Sequence, residues 1–242
     1  PFVPAEWIAV HGLPPSRIMP RADSTSPPAV RPLPGLCPYA RAFLNAVAAA
    51  DLELPAIGFG TWPLRGDDAV AAVRSALDVG YRLLDTAVNY ENEAEVGRAV
   101  RESAVPRAEI LVQTKVPGRF RARDLAIRSV EDSLRRMHLD VLDLVLVHWP
   151  NPSQGRYVEV VEALLTCRER GLVRSVGVSN YTERLLDEVI EATGFTPSVN
   201  QVELHPSFPQ AELVARHESL GIRTQAWSPL AAWNPRGTVT TR

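Results

Sequence analysis

Four side chains in this sequence have types and spacings that suit proton-transfer chemistry: Asp85, Tyr90, Lys115 and His148. Asp85 closes the apolar run Arg82-Leu83-Leu84-Asp85, and Tyr90 follows it after a small-residue turn. A buried carboxylate without a partner is costly, and a phenol with an ordinary pKa of ~10 is a poor acid at neutral pH. A cation beside both groups removes both difficulties. Lys115 is the only lysine in a chain whose other fixed cations are all arginine. Arginine cannot be deprotonated in a protein, whereas a compact ammonium responds to burial and to its neighbours. Lys115 ends its own apolar run from Ile110, and His148 ends another from Leu142. Each group also has a structural explanation when taken singly: Asp85 as a salt-bridge partner, Tyr90 as a rim aromatic, His148 as a satisfied core histidine.

Bringing these groups together requires strands that end on one side. Apolar runs fall at 57–60, 82–85, 110–114, 142–147, 173–178, 198–202 and 222–226. Stretches of helical period lie between them at 67–79, 93–103, 121–138, 155–171, 182–193 and 209–220. Gly80, Gly171, Gly194 and Gly221 stand just beyond four of these stretches, where a left-handed cap favours glycine. Successive parallel βαβ units of this kind build either an open doubly wound sheet or a closed barrel. No G-x-G-x-x-G follows any of the strands, so the α/β class is read as a TIM-type (β/α)8 barrel. In such a barrel the C-terminal strand ends share one face, where the chemistry sits.

The expected organisation has three parts. Residues 1–50 read as a proline-rich, disordered extension, since ten of the 21 prolines precede residue 40 and only a short helix at 39–49 is conceivable. Residues 51–230 form the barrel, and 231–242 an irregular tail. A net charge of −2 and the absence of Lys/Arg runs give no electrostatic footprint for nucleic acid. Cys37 and Cys167 are far apart and make no disulfide framework, which together with the lack of a signal peptide predicts a cytoplasmic protein. No apolar run approaches the ~18 to 20 residues of a membrane-spanning helix. His205 and His217 have no ligand-spaced companions, so no metal site is expected.

From about residue 51 to 230 the chain resembles the aldo-keto reductases, a family of eight-stranded barrels that reduce carbonyls with NADPH without a Rossmann fold. The matching segments are residues 55–62 (PAIGFGTW), 84–90 (LDTAVNY), 114–115 (TK), 147–150 (VHWP), 177–180 (GVSN), 200–206 (NQVELHP) and 227–230 (WSPL). The wording is similar to the bacterial branch that includes 2,5-diketogluconate reductases. The resemblance implies a tetrad in which Tyr90 protonates the carbonyl oxygen, Lys115 held by Asp85 lowers the phenol's pKa, and His148 orients the substrate. It implies that Ser179, Asn180 and Gln201 hydrogen-bond a nicotinamide carboxamide and that Trp227 stacks on the ring. Gly60, Thr61, Trp62, Ser228 and Leu230 are further cofactor neighbours on the same basis. Trp62, Trp149 and Phe120 would wall a substrate pocket. The implied cofactor is NADPH, with NADH left open, and the implied partner is a small carbonyl compound bound by a monomer.

The pattern departs from the family after Leu230, where neither a seventh helix nor an eighth strand follows and the family's Lys-Ser phosphate-binding segment has no match. The floor hairpin is poorly represented before Leu54. The chain therefore reads as a C-terminally truncated, seven-stranded barrel. Two alternatives stand beside carbonyl reduction: a non-catalytic relative lacking the cofactor phosphate site, and a Schiff-base aldolase using Lys115.

Overall fold

The computed structural model describes residues 57–118 and 123–229. The proposed extension and tail, Cys37, Phe120 and Leu230 lie outside them. Seven strands alternate with six α-helices: β1 (Gly58–Gly60), α1 (Gly66–Asp78), β2 (Leu83–Asp85), α2 (Glu93–Glu102), β3 (Leu111–Val116), α3 (Arg123–Met137), β4 (Leu142–Val147), α4 (Tyr157–Glu169), β5 (Val173–Ser179), α5 (Glu183–Thr193), β6 (Val199–Glu203), α6 (Ala211–Leu220) and β7 (Arg223–Trp227). All pairings are parallel and the sheet order is β1 to β7 in sequence. This is the strand order of an incomplete (β/α)8 barrel, with seven strands among the described residues.

Alternation along the strands sorts side chains between two layers. Leu84, Val112, Val116, Val145, Val147, Val176 and Val178 face outward and pack beneath the helices. On α1 the buried positions Ala69, Val70, Val73, Ala76 and Leu77 recur at helical spacing, so one stripe covers the sheet. The inward residues Leu144, Leu146 and Val199 form a separate apolar cluster. Gly177 faces the same interior, where an added Cβ would come within 2.6 Å of Leu146 Cδ2 and 2.8 Å of the Val199 carbonyl. Close packing across the barrel requires glycine there.

Polar pins fix the strand ends. Asp143, 4% exposed, accepts hydrogen bonds from the Val112 backbone at 2.8 Å, Arg107 at 2.7 Å and Arg174 at 2.9 Å, joining β3, β4 and β5. Helices α5 and α6 end at Gly194 and Gly221 with φ of 65° and 72°, as their positions in the sequence suggested. Three 3₁₀ turns were not foreseen, at Val88–Tyr90, Arg107–Glu109 and Pro152–Gln154. Short turns lack the periodicity that marks longer elements.

Candidate active site

The Asp85 carboxylate stands at the end of β2 and the Lys115 side chain rises from β3 beside it, the lysine 1% exposed. Lys115 Nζ donates to Asp85 Oδ1 at 2.6 Å and Oδ2 at 2.7 Å, to the Thr86 carbonyl at 3.2 Å and to the Tyr90 hydroxyl at 3.2 Å. Tyr90 lies on the first 3₁₀ turn rather than on a strand, which curls its phenol back over the lysine. The ammonium is 4.8 Å from the Tyr90 ring centroid. His148, just past the end of β4, meets Tyr90 edge to face with centroids 5.7 Å apart. All four groups therefore gather at one mouth of the sheet.

Burial raises the Tyr90 phenol above its ordinary 10; Lys115 opposes this by its charge and hydrogen bond, and Asp85 adds to it. The net direction is upward, since Lys115 draws the phenol down by less than burial and Asp85 push it up. Desolvation outweighs a cation whose charge is already shared with Asp85. Tyr90 is thus a protonated donor across the neutral range. Burial also lowers His148 to about 4, with Lys115 contributing in the same direction, so its imidazole is neutral. The buried Nδ1 of His148 has no hydrogen-bond partner.

Asn92 was not singled out from the sequence, yet it holds the loop above the phenol. Its buried amide donates to the Thr61 and Leu64 carbonyls at 3.0 and 3.1 Å, and its oxygen accepts from Thr86 at 2.6 Å. The Thr61 hydroxyl donates to the Asp85 carbonyl at 3.1 Å, and Gly60 pairs with Asp85 across β1 and β2. This loop carries Trp62, 62% exposed, with its ring 5.5 Å from that of Tyr90. Trp149 is also exposed on this side.

A second group of expected residues gathers at the ends of β5, β6 and β7. Ser179 Oγ donates to the Gln201 carbonyl at 2.8 Å and accepts from Asn180 Nδ2 at 3.0 Å. Asn180 also donates to the His148 carbonyl at 3.0 Å, and its oxygen accepts the Trp227 indole N–H at 2.9 Å. Asn180 thereby ties the Trp227 plane to the His148 backbone. An open cleft of about 200 Å³ lies against Trp149, Asn180, Glu203, Phe208 and Trp227. Ser228 follows Trp227 with a left-handed φ of 48°. Gln201 Nε2 donates to Asp85 Oδ2 at 3.2 Å and to Gln225 Oε1 at 3.0 Å. Gln113 and Gln225, also bonded into this interior network, were missed in the sequence. The available signal was their position two residues before Lys115 and Trp227, on the same strand faces.

The sequence matches the Aldo/keto reductase family over residues 56–238. It is 60% identical over 174 residues to 2,5-diketo-D-gluconic acid reductase B of Corynebacterium sp. (strain SHS752001), a match covering 72% of this chain and 63% of that protein. An aldo/keto reductase structure from Brucella melitensis superposes with a TM-score of 0.71 at 41% identity, covering 73% of this chain and 69% of that one. A Bombyx mori aldo-keto reductase solved in complex with NADP gives 0.69 at 33% identity, covering 76% and 66%. The chain belongs to the aldo-keto reductase family. It spans about 63% of the length of the Corynebacterium relative.

Proposed function

We propose that this chain carries the proton-donating centre of a nicotinamide-dependent reductase that converts aldehydes and ketones to alcohols. The observation that carries the reading is Lys115 Nζ bridging the Asp85 carboxylate and the Tyr90 hydroxyl, with neutral His148 against the same phenol. When bound, NADPH supplies a hydride to the carbonyl carbon. Tyr90 releases its proton to the carbonyl oxygen as negative charge builds there, and the tyrosinate is held by the Lys115 ammonium until solvent reprotonates it. His148 orients the carbonyl, a task suited to a neutral imidazole.

The residues expected at the nicotinamide fit such a group. Gln201 uses both of its N–H bonds internally, and the Ser179 hydroxyl donates to a backbone carbonyl, so both present acceptor oxygens suited to a carboxamide –NH₂. The Trp227 face is fixed by its indole bond to Asn180. The NADP-bound Bombyx relative and the reductase name of the Corynebacterium relative support NADPH as cofactor and a 2,5-diketo sugar acid as substrate class. We assign residues 51–230 as the unit that bears this function. The ammonium's contacts with Asp85 favour a charged lysine over the neutral amine that Schiff-base chemistry would need.

The test is NADPH oxidation by the full chain with 2,5-diketogluconate and with small aldehydes. Turnover that falls on Tyr90→Phe supports the reading. Retention of NADPH without turnover would select a binding protein instead, and a borohydride-trapped adduct on Lys115 an aldolase.

A further inference from the structure

Three glutamine amides lie inside the barrel below the proposed proton donor and close a loop around Asp85. Gln113 Nε2 donates to Asp85 Oδ1 at 2.6 Å, and Gln201 Nε2 donates to Oδ2 at 3.2 Å. The second N–H of Gln201 reaches Gln225 Oε1 at 3.0 Å, and Gln225 Nε2 reaches Gln113 Oε1 at 3.0 Å. The circuit joins β2, β3, β6 and β7, strands that sit on opposite sides of the barrel. Gln113 is fully buried and Gln201 is 6% exposed.

The direction of this circuit is forced. An ionised carboxylate accepts only, with about four lone-pair sites, so both neighbouring amides must turn their N–H groups towards it. Lys115 fills two of those sites and the amides fill the other two. Once Gln201 donates to Asp85, its other N–H demands the oxygen of Gln225, which leaves the Gln225 nitrogen for the oxygen of Gln113. Rotating any one amide by half a turn would set oxygen against oxygen or N–H against N–H. The carboxylate therefore sets three amide orientations, and the amides in turn hold the carboxylate against Lys115.

We propose that Gln113 and Gln225 are positioning residues, which through Asp85 and Gln201 fix the Lys115–Tyr90 pair and leave Gln201 Oε1 as the atom offered to the nicotinamide. This rests on the reductase reading for its functional meaning. Gln113→Met removes a donor from Asp85, concentrates the carboxylate's charge and strengthens its upward pull on Tyr90. Gln225→Met frees Gln201 to rotate, which weakens the same support one step further away. Methionine keeps length and volume close to those of glutamine.

The experiment is ultraviolet titration of tyrosinate in the full chain and in Gln113→Met, Gln225→Met and the surface control Gln154→Met, each read as the difference from its Tyr90→Phe counterpart so that one phenol of the five is isolated. Thermal unfolding and NADPH-dependent turnover are measured on the same samples. The expected result is an upward displacement of the Tyr90 titration by about half a pH unit for Gln113→Met, less for Gln225→Met and none for the control. Turnover is expected to fall ~10-fold in kcat with the carbonyl KM little changed, the pattern of a displaced catalytic group. Should the methionine variants fail to fold, Gln225→Asn, too short to close the circuit but still polar, is read in the same way. A displaced titration in a chain without turnover upholds the positioning role while sinking the reductase reading. Normal turnover with an undisplaced titration in folded variants overturns the positioning role and leaves the reductase reading intact.

Discussion

The Lys115 ammonium has three N–H bonds and four oxygen neighbours within 3.2 Å, drawn from Asp85, Thr86 and Tyr90. Removing one partner of a buried ion pair leaves an uncompensated charge, which typically costs about 3–5 kcal/mol. Asp85→Asn should therefore lower the unfolding midpoint as well as turnover, whereas Tyr90→Phe should leave stability nearly unchanged while turnover falls ~10² to 10⁴-fold. Chemical denaturation beside steady-state rates separates the two effects. The pH profile follows from His148. Burial takes it from 6.5 to about 4, so the acid limb of kcat/KM should bend near 4 rather than near 6.5. A profile bending near 6.5 would show that the imidazole is not held neutral. The gathering of Asp85, Tyr90, Lys115 and His148 was legible in the sequence because each ends or follows an apolar run. The Gln113–Gln225 pair was not, since 112 residues separate two side chains that meet only once the sheet curls round.

Among the elements, α6 and β6 meet through a buried polar group. His217, wholly buried, receives Asn200 Nδ2 at 2.9 Å on Nε2 and pairs with Thr224 Oγ1 at 2.8 Å on Nδ1. The Asn200 oxygen accepts the Tyr181 backbone N–H, which fixes its amide nitrogen towards His217. Nε2 must then accept, and a proton there would oppose the amide. Burial accordingly lowers His217 from 6.5 to about 4. A histidine depressed on folding binds its proton more readily in the unfolded chain. Its contribution is complete above pH 6.5 and is lost as the pH falls from 6.5 to about 4, by at most ~1.4 kcal/mol per pH unit. Urea denaturation from pH 7 to 4.5 should reveal this slope together with the equal one from His148, and a residue that keeps the packing without titrating, as in His217→Gln, should remove about half of it. Gly97 shows a different constraint. A Cβ there would collide with the Met137 backbone at the end of α3, so Gly97→Ala should destabilise the fold by about 1–3 kcal/mol although alanine is the better helix former. Helix and strand periods were readable within about two residues, as with the expected helix at 155–171 and the observed Tyr157–Glu169. The collision was not, because it depends on how closely α2 approaches α3.

At the scale of the whole molecule, parallel strands in sequential order carry every ionisable group of the site to one mouth. Alternating runs were enough to read this architecture, since each βαβ unit imposes the same direction on the next strand. No helix among the described residues is long and apolar enough to cross a membrane. The chain's share of its relatives, 63% for the Corynebacterium reductase, makes cofactor affinity the property most in need of measurement. NADPH in excess of its Kd by ~100-fold should stabilise the fold by about 2.7 kcal/mol, visible as a rise in unfolding temperature. An unchanged temperature at saturating NADPH would contradict cofactor binding by this chain.

The most direct test of the account compares the loss of reduced-cofactor absorbance on adding a 2,5-diketo sugar acid to the unsubstituted chain and to Tyr90→Phe. The account predicts steady NADPH consumption by the first and a rate lower by ~10² to 10⁴-fold for the second, with equal NADPH binding by both. Equal rates, or consumption by neither, would contradict it.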